Sequence, residues 1–157
     1  MKVLFCPIGK TEGTEIQSLM DEYSGRIARY FPFSVEPLDN RKLIKTSDEL
    51  RLREEESRLL LGKIDTNDIL VLLDERGKQY DSPGFSEYLK GVFSGGRKRL
   101  VFSSGGAYGF SDEARKRADT VISLSRMVFP HQLVRVIFLE QLYRAANIMH
   151  GGSYHHV

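Results

Sequence analysis

Apolar positions in this chain fall into short continuous runs separated by amphipathic stretches, and the spacing within each predicts its element. Val3-Leu4-Phe5-Cys6-Pro7-Ile8 reads as a first core strand, followed by a turn of glycine and polar residues from Gly9 to Gly13. Ile16, Leu19, Met20, Tyr23, Ile27 and Tyr30 then recur at helical spacing, predicting an amphipathic helix over about residues 14–30. Phe31-Pro32 stops it, because proline disfavours helical geometry in itself and in the residue before it. Phe33, Val35 and Leu38 predict a short second strand. Thr46 with Glu49 three residues on is a capping-box pattern that opens a charged helix to about Leu61. Its glutamates and arginines alternate so closely that most of it is expected to face water.

Ile69-Leu70-Val71-Leu72-Leu73 is continuously apolar, as in a strand buried on both faces, and Asp74-Glu75-Arg76-Gly77-Lys78 follows at its C-terminal end. Ser82-Pro83 is a plausible helix start, since proline in the first turn lacks only an N–H that has no partner there. Leu100-Val101-Phe102 predicts a fourth strand, Ser111 to Ala118 a short helix, and Thr120-Val121-Ile122 a fifth strand. A last helix runs from near Pro130 to about His150. Strands and helices alternate throughout, so the class is α/β: a single domain over residues 1–157 with a mostly parallel sheet covered by helices on both sides. Leu133, Val134, Val136, Ile137, Phe138 and Leu139 place apolar groups almost all round the start of the last helix. A surface helix would keep one polar face, so a homodimer built partly on this helix is expected.

Composition narrows the class without deciding it. An apolar fraction of 41% and a charged fraction of 28% are those of an ordinary globular chain, and no run approaches the length needed to span a bilayer. The N-terminal apolar stretch is too short for a signal peptide, and the lone Cys6 fits a reducing cytosol, so a cytoplasmic protein without a membrane partner is expected. Cys6 itself reads as a small buried hydrophobe. The net charge is only +2, and placement matters more: Arg97-Lys98-Arg99 and Arg115-Lys116-Arg117 are clusters, followed by Arg126, Arg135 and Arg144. Such runs are usually a solvated face; they also permit an RNA partner.

In open α/β sheets ligands sit beyond the carboxyl ends of the strands. Three segments meet that description: the one after Leu73, the run Ser103-Ser104-Gly105-Gly106-Ala107-Tyr108-Gly109, and Leu124-Ser125-Arg126-Met127-Val128-Phe129. The glycines allow close backbone approach to a ligand, or simply a tight strand-to-helix turn. Their spacing is neither a Walker loop nor GxGxxG, which disfavours an NTPase. His131 and Arg135 lie four apart near the start of the last helix, where an imidazole and a guanidinium could meet a phosphate; His131 as a cap or packing residue is the alternative. The ending His150-Gly151-Gly152-Ser153-Tyr154-His155-His156-Val157 is either a frayed tail or a substrate-handling segment. Adjacent histidines rarely share one metal and no matching ligand spacing occurs nearby, so no metal is expected.

The run Ser123-Leu124-Ser125-Arg126-Met127-Val128-Phe129-Pro130-His131-Gln132-Leu133-Val134-Arg135-Val136, continued by Glu140-Gln141-Leu142-Tyr143-Arg144-Ala145, resembles the C-terminal signature of the RlmH family. Tyr154-His155-His156 is similar to that family's closing tyrosine, histidine and basic residue. The resemblance implies a SPOUT fold, in which the C-terminal part threads a loop to form a deep trefoil knot, and a homodimer. It implies methylation of N3 of a pseudouridine in a stem-loop of 23S ribosomal RNA, with the assembled ribosome as substrate. Carried over residue by residue, S-adenosylmethionine would be held by Leu73, Gly105, Leu124, Ser125, Arg126, Met127, Val128 and Phe129. Tyr154 and His155 would help remove the N3 proton, while Arg135 and His131 grip phosphate or uracil oxygens. The chain departs from the family pattern at Ser103-Ser104, where an aliphatic residue is usual before the glycine pair, and at Tyr108, where a small or acidic residue is typical. A different SPOUT enzyme acting on tRNA, and a non-catalytic RNA- or ribosome-binding module, are the other readings.

Overall fold

The computed structural model of the protein describes residues 1–155. Five strands, β1 (Lys2–Phe5), β2 (Phe33–Val35), β3 (Ile69–Gln79), β4 (Arg99–Ser104) and β5 (Thr120–Ser123), form one parallel sheet in the order β2-β1-β4-β3-β5. Alternation along each strand divides the core into two layers. Val3, Phe5, Val71, Leu73, Leu100 and Phe102 face one side, and Leu4, Cys6, Leu70, Leu72 and Val101 the other. The first layer is covered by the helices α1 (Thr14–Ile27), α3 (Ser82–Ser94) and α5 (Leu133–Met149). The second is covered by α2 (Glu49–Leu61) and α4 (Asp112–Arg117).

The α/β class and all ten elements match the sequence expectation, with differences at the ends. Helix α1 stops at Ile27, and a turn carries Ala28 to Tyr30. The second strand ends at Val35, and Leu38 joins the sheet edge only through an isolated bridge to Ile8. At α2 the cap is Asp48, whose side chain accepts from the Arg51 N–H at 3.0 Å. Thr46 instead accepts from the Asp48 N–H, so the expected capping box is replaced by an N-cap two residues later. Nor is α2 mostly solvated: Leu52, Glu56, Ser57 and Leu60 are buried, Leu60 within the second layer. Cys6 is buried as expected, and that burial pushes its thiol up to about 11, out of nucleophile range.

The apolar girth of α5 is absorbed within one chain. The helix lies on the sheet and packs against both α1 and α3, with Phe138 between Phe5 and Phe102 at ring separations of 4.8 Å on each side. Burial on several sides therefore does not itself call for a partner subunit.

Two features place the strand ends. Leu73 and Lys78 both register with Ile122, so residues 74–77 leave the ladder and return to it. Gly77 makes that excursion possible: a Cβ there would lie 2.6 Å from the Val121 and Ile122 backbone. After β5, the chain runs along the carboxyl ends of the strands toward β1. Gln132 donates to the Lys10 carbonyl and accepts from the Glu12 N–H, both at 2.9 Å, pinning the entrance to α5 against the loop after β1.

Candidate active site

The three strand-end segments converge. Leu73 to Arg76, Ser104 to Phe110, and the stretch from Leu124 to His131 wall one cavity of about 510 Å³, closed by Arg53, Asp112, Arg115 and Val134. Its size suits a nucleoside-sized ligand, for pockets of such ligands span about 300–1,000 Å³.

Each wall is held by interactions that the local sequence supplies. The carboxylate of Asp74, only 4% exposed, accepts from Arg115 at 2.6 Å and from the Arg76 backbone N–H at 3.0 Å. Burial alone would raise its pKa; the Arg115 hydrogen bond, the Arg76 N–H and both guanidinium charges outweigh it and hold the group below the usual carboxylate range. The glycine loop folds on itself, with a bridge between Gly106 and Gly109 and a left-handed φ of 72° at Gly109. A Cβ at Gly106 would run into the Glu56 carboxylate. Glu56 is 1% exposed, accepts from Asn40 at 2.6 Å and is pushed up by desolvation, against the opposing effects of Asn40 and His131. In the third wall, the Ser123 hydroxyl donates to the Ser125 carbonyl and the Ser125 hydroxyl accepts from the Met127 N–H, each at 2.9 Å.

Of the cofactor residues expected from sequence, Leu73, Gly105, Leu124, Ser125, Met127, Val128 and Phe129 line the cavity. Arg126 does not; its side chain is exposed outside the wall. Of the four expected catalytic residues only His131 lines it. Arg135 is 0% exposed, because its guanidinium donates to the Ile8 carbonyl at 2.8 Å and to the Thr11 hydroxyl at 3.1 Å. Burial lowers its pKa to about 10, which leaves it charged at neutral pH but spent as a clamp between α5 and the end of β1. A phosphate-gripping role for Arg135 is thereby corrected.

Tyr154 and His155 also lie elsewhere in this chain. The tail folds back along α5: the Tyr154 ring sits 4.7 Å from that of Tyr143, its backbone N–H donates to Asn147, and its hydroxyl donates to Glu140 at 3.3 Å. His155 Nδ1 stands 3.4 Å from the Arg144 guanidinium. Tyr143 follows Val134 by nine residues, about 13 Å along the helix axis. Burial, then Tyr23 and Glu140, push the Tyr154 hydroxyl up to about 12, so it stays protonated at neutral pH. His156 and Val157, which complete the tail motif, lie outside the described residues.

The departures from the family pattern are accommodated. Ser103 donates to the Cys6 carbonyl at 2.7 Å inside the sheet, Ser104 lines the cavity, and Tyr108 stands half-exposed at the rim. Arg99 and Arg117, read from sequence as members of basic clusters, are committed to Asp68 and Asp119 at the amino ends of the strands, away from the cavity. The sequence reading missed Arg53, Asp112 and the Asp74–Arg115 pair. Arg53 was hidden in a helix that looked solvated, and Arg115 in a run of like charges.

Residues 1–155 match the family described as "Predicted SPOUT methyltransferase". Ribosomal RNA large subunit methyltransferase H of Christiangramia forsetii is 46% identical over 156 residues, covering 99% of both chains. The same-named protein of Trichlorobacter lovleyi is 46% identical over 99% of this chain and 100% of its own. The chain belongs to the RlmH family of SPOUT methyltransferases. A solved SpoU methyltransferase, AviRb from Streptomyces viridochromogenes in complex with AdoMet, aligns with 98% of this chain and 59% of its own at a TM-score of 0.46 and 15% identity. Among the described residues of this RlmH-family chain, no helix is long and apolar enough to cross a membrane.

Proposed function

We propose that the protein uses S-adenosylmethionine to methylate N3 of a pseudouridine in a stem-loop of 23S ribosomal RNA, acting on assembled ribosomes in the cytoplasm. One observation carries this reading: three strand-end loops meet in a single cavity, in a chain whose relatives are named as methyltransferases of large-subunit ribosomal RNA. The wall fits the cofactor. Leu73, Leu124, Val128 and Phe129 offer apolar contact to an adenosine, and the glycines at 105 and 106 let backbone groups approach it without a Cβ between. When bound, S-adenosylmethionine supplies a methyl group on a positively charged sulfur. The trefoil knot implied by family membership would place the segment from Leu124 to His131 as the threaded one.

The protein's own part is alignment and proton handling. N3 of pseudouridine is protonated at neutral pH, so its proton has to leave before or during attack. His131 is the imidazole in the cavity wall among the described residues and is solvent-exposed, and we assign it that proton. The base would be unstacked from its loop to enter, and the exposed Arg76 at the rim is available to the RNA backbone. Tyr154 and His155 can serve the cavity only from a second copy of the chain. A homodimer is supported by apolar side chains left exposed around the entrance to α5, Met127 at 74% in the preceding loop and Leu133 at 41% at the first position of the helix.

Calorimetric titration with S-adenosylmethionine, with ATP as control, tests the cofactor assignment. Selective binding is expected; absence of binding, even with ribosomes present, would overturn it.

A further inference from the structure

The ionisable side chains of the cavity wall do not all pair with one another. Asp74 is held by Arg115 at 2.6 Å, and Glu75 lies 4.0 Å from Arg76. Arg53 and Asp112 line the same cavity and have no ion-pair partner among the described residues. Arg53 is half-buried and its Nε is fully enclosed without a hydrogen-bond partner. Leaving such a donor unmet costs about 1–3 kcal/mol; the terminal guanidinium nitrogens, which are not enclosed, are the groups that a ligand in the cavity can reach.

The two groups belong to one wall. Ser57 on α2 accepts from the backbone N–H of Ser111 at 2.9 Å, which ties α2 to the start of α4. Arg53 is one turn before Ser57, about 6 Å along α2, and Asp112 directly follows Ser111. Among the described residues, Arg53 and Asp112 therefore stand as a cation and an anion on adjoining helices at the edge of the cavity, with no ion pair between them. A ligand carrying a carboxylate and an ammonium on neighbouring atoms would satisfy both; an RNA phosphate would satisfy Arg53 and be repelled by Asp112.

We propose that Arg53 and Asp112 hold the amino-acid end of S-adenosylmethionine, Arg53 donating to its carboxylate and Asp112 accepting from its ammonium group. This rests on the cofactor reading above and adds the orientation: adenosine toward the apolar wall of Leu73, Leu124, Val128 and Phe129, amino-acid end toward α2 and α4.

A pair of ligands separates this from a merely structural effect. S-adenosylhomocysteine and 5′-methylthioadenosine share the adenosine and a neutral thioether, and only the first carries the amino-acid group. Calorimetry on the wild-type protein and on Arg53→Gln would measure both. The variant is expected to bind S-adenosylhomocysteine about ten- to a hundredfold more weakly, the range of a lost charge-assisted hydrogen bond. Its affinity for 5′-methylthioadenosine is expected to be unchanged, and Arg53→Lys is expected to recover part of the loss. Asp112→Asn is expected to show the same one-sided pattern. Equal weakening of both ligands, or of neither, would overturn the proposal; so would a variant altered only in its KM for ribosomes, which would give Arg53 to the RNA. A wild-type protein that binds neither ligand would instead remove the cofactor reading itself.

Discussion

Asp74 shows how one buried carboxylate can support both the fold and the site. Its lowered pKa means that the Arg115 pair stabilises the native state fully above the ordinary carboxyl value of about 3.9, and that this contribution is lost as the pH falls through the lowered value. Glu56 has the opposite sign. Its raised pKa makes folding less favourable as pH climbs past the ordinary glutamate range, because the buried carboxylate then has to ionise. Chemical denaturation across pH checks both. Asp74→Asn is expected to lose stability at neutral pH and to flatten the acid limb. Glu56→Gln is expected to gain on the wild type as pH rises from 4 to 8. A Glu56→Gln curve parallel to the wild type would remove Glu56 as a titrating group. At the same scale, Arg135→Met is expected to destabilise by about 1–3 kcal/mol, since the Ile8 carbonyl loses its buried donor.

Among the elements, the ends of β3, β4 and β5 set the cavity, and α5 packs on the sheet that carries them. Gly77→Ala is expected to fail more severely than an ordinary surface change, because the new methyl would meet backbone rather than a movable side chain. Thermal unfolding would show it, and a melting temperature within a degree or so of wild type would mean that the close approach at Val121 and Ile122 can relax. Phe138→Ala is expected to cost about 3–5 kcal/mol, the usual range for emptying a buried aromatic site. The strands were legible because β1, β3 and β4 are apolar on both faces, and a run such as Ile69 to Leu73 has few other uses in a chain of this size. The three ligand loops were legible for the same reason, since a strand end fixes where a loop begins. The role of Arg135 was not. Its spacing from His131 suggested a shared face, but the decisive contact, with the carbonyl of Ile8, is 127 residues away in sequence. The burial of Glu56 was equally invisible, because the charge alternation of α2 masks the one face on which Leu52, Glu56 and Leu60 turn inward.

For the whole molecule, the separation that matters is between the tail and the cavity. Within one chain Tyr154 and His155 lie against the second half of α5, whereas His131 and the three loops occupy its beginning. A homodimer reconciles the two if the tail of one copy approaches the cavity of the other. Sedimentation is expected to report a dimer, and Leu133→Glu, which puts a charge into the apolar patch at the start of α5, is expected to shift it toward monomer. Mixed dimers carrying His131→Ala in one copy and His155→Ala in the other then separate the arrangements. If the tail acts across subunits, one of the two cavities keeps both residues, and about half the activity is expected to remain.

Methylation of 23S RNA is read out by site-resolved mass spectrometry of ribosomal RNA. Ribosomes lacking the modification would be incubated with the protein and S-adenosylmethionine, and the 23S RNA digested and sequenced. Addition of a single methyl group at N3 of one pseudouridine, absent when the cofactor is withheld, is the result predicted here. No methylation of 23S RNA, or methylation of tRNA in its place, would contradict it.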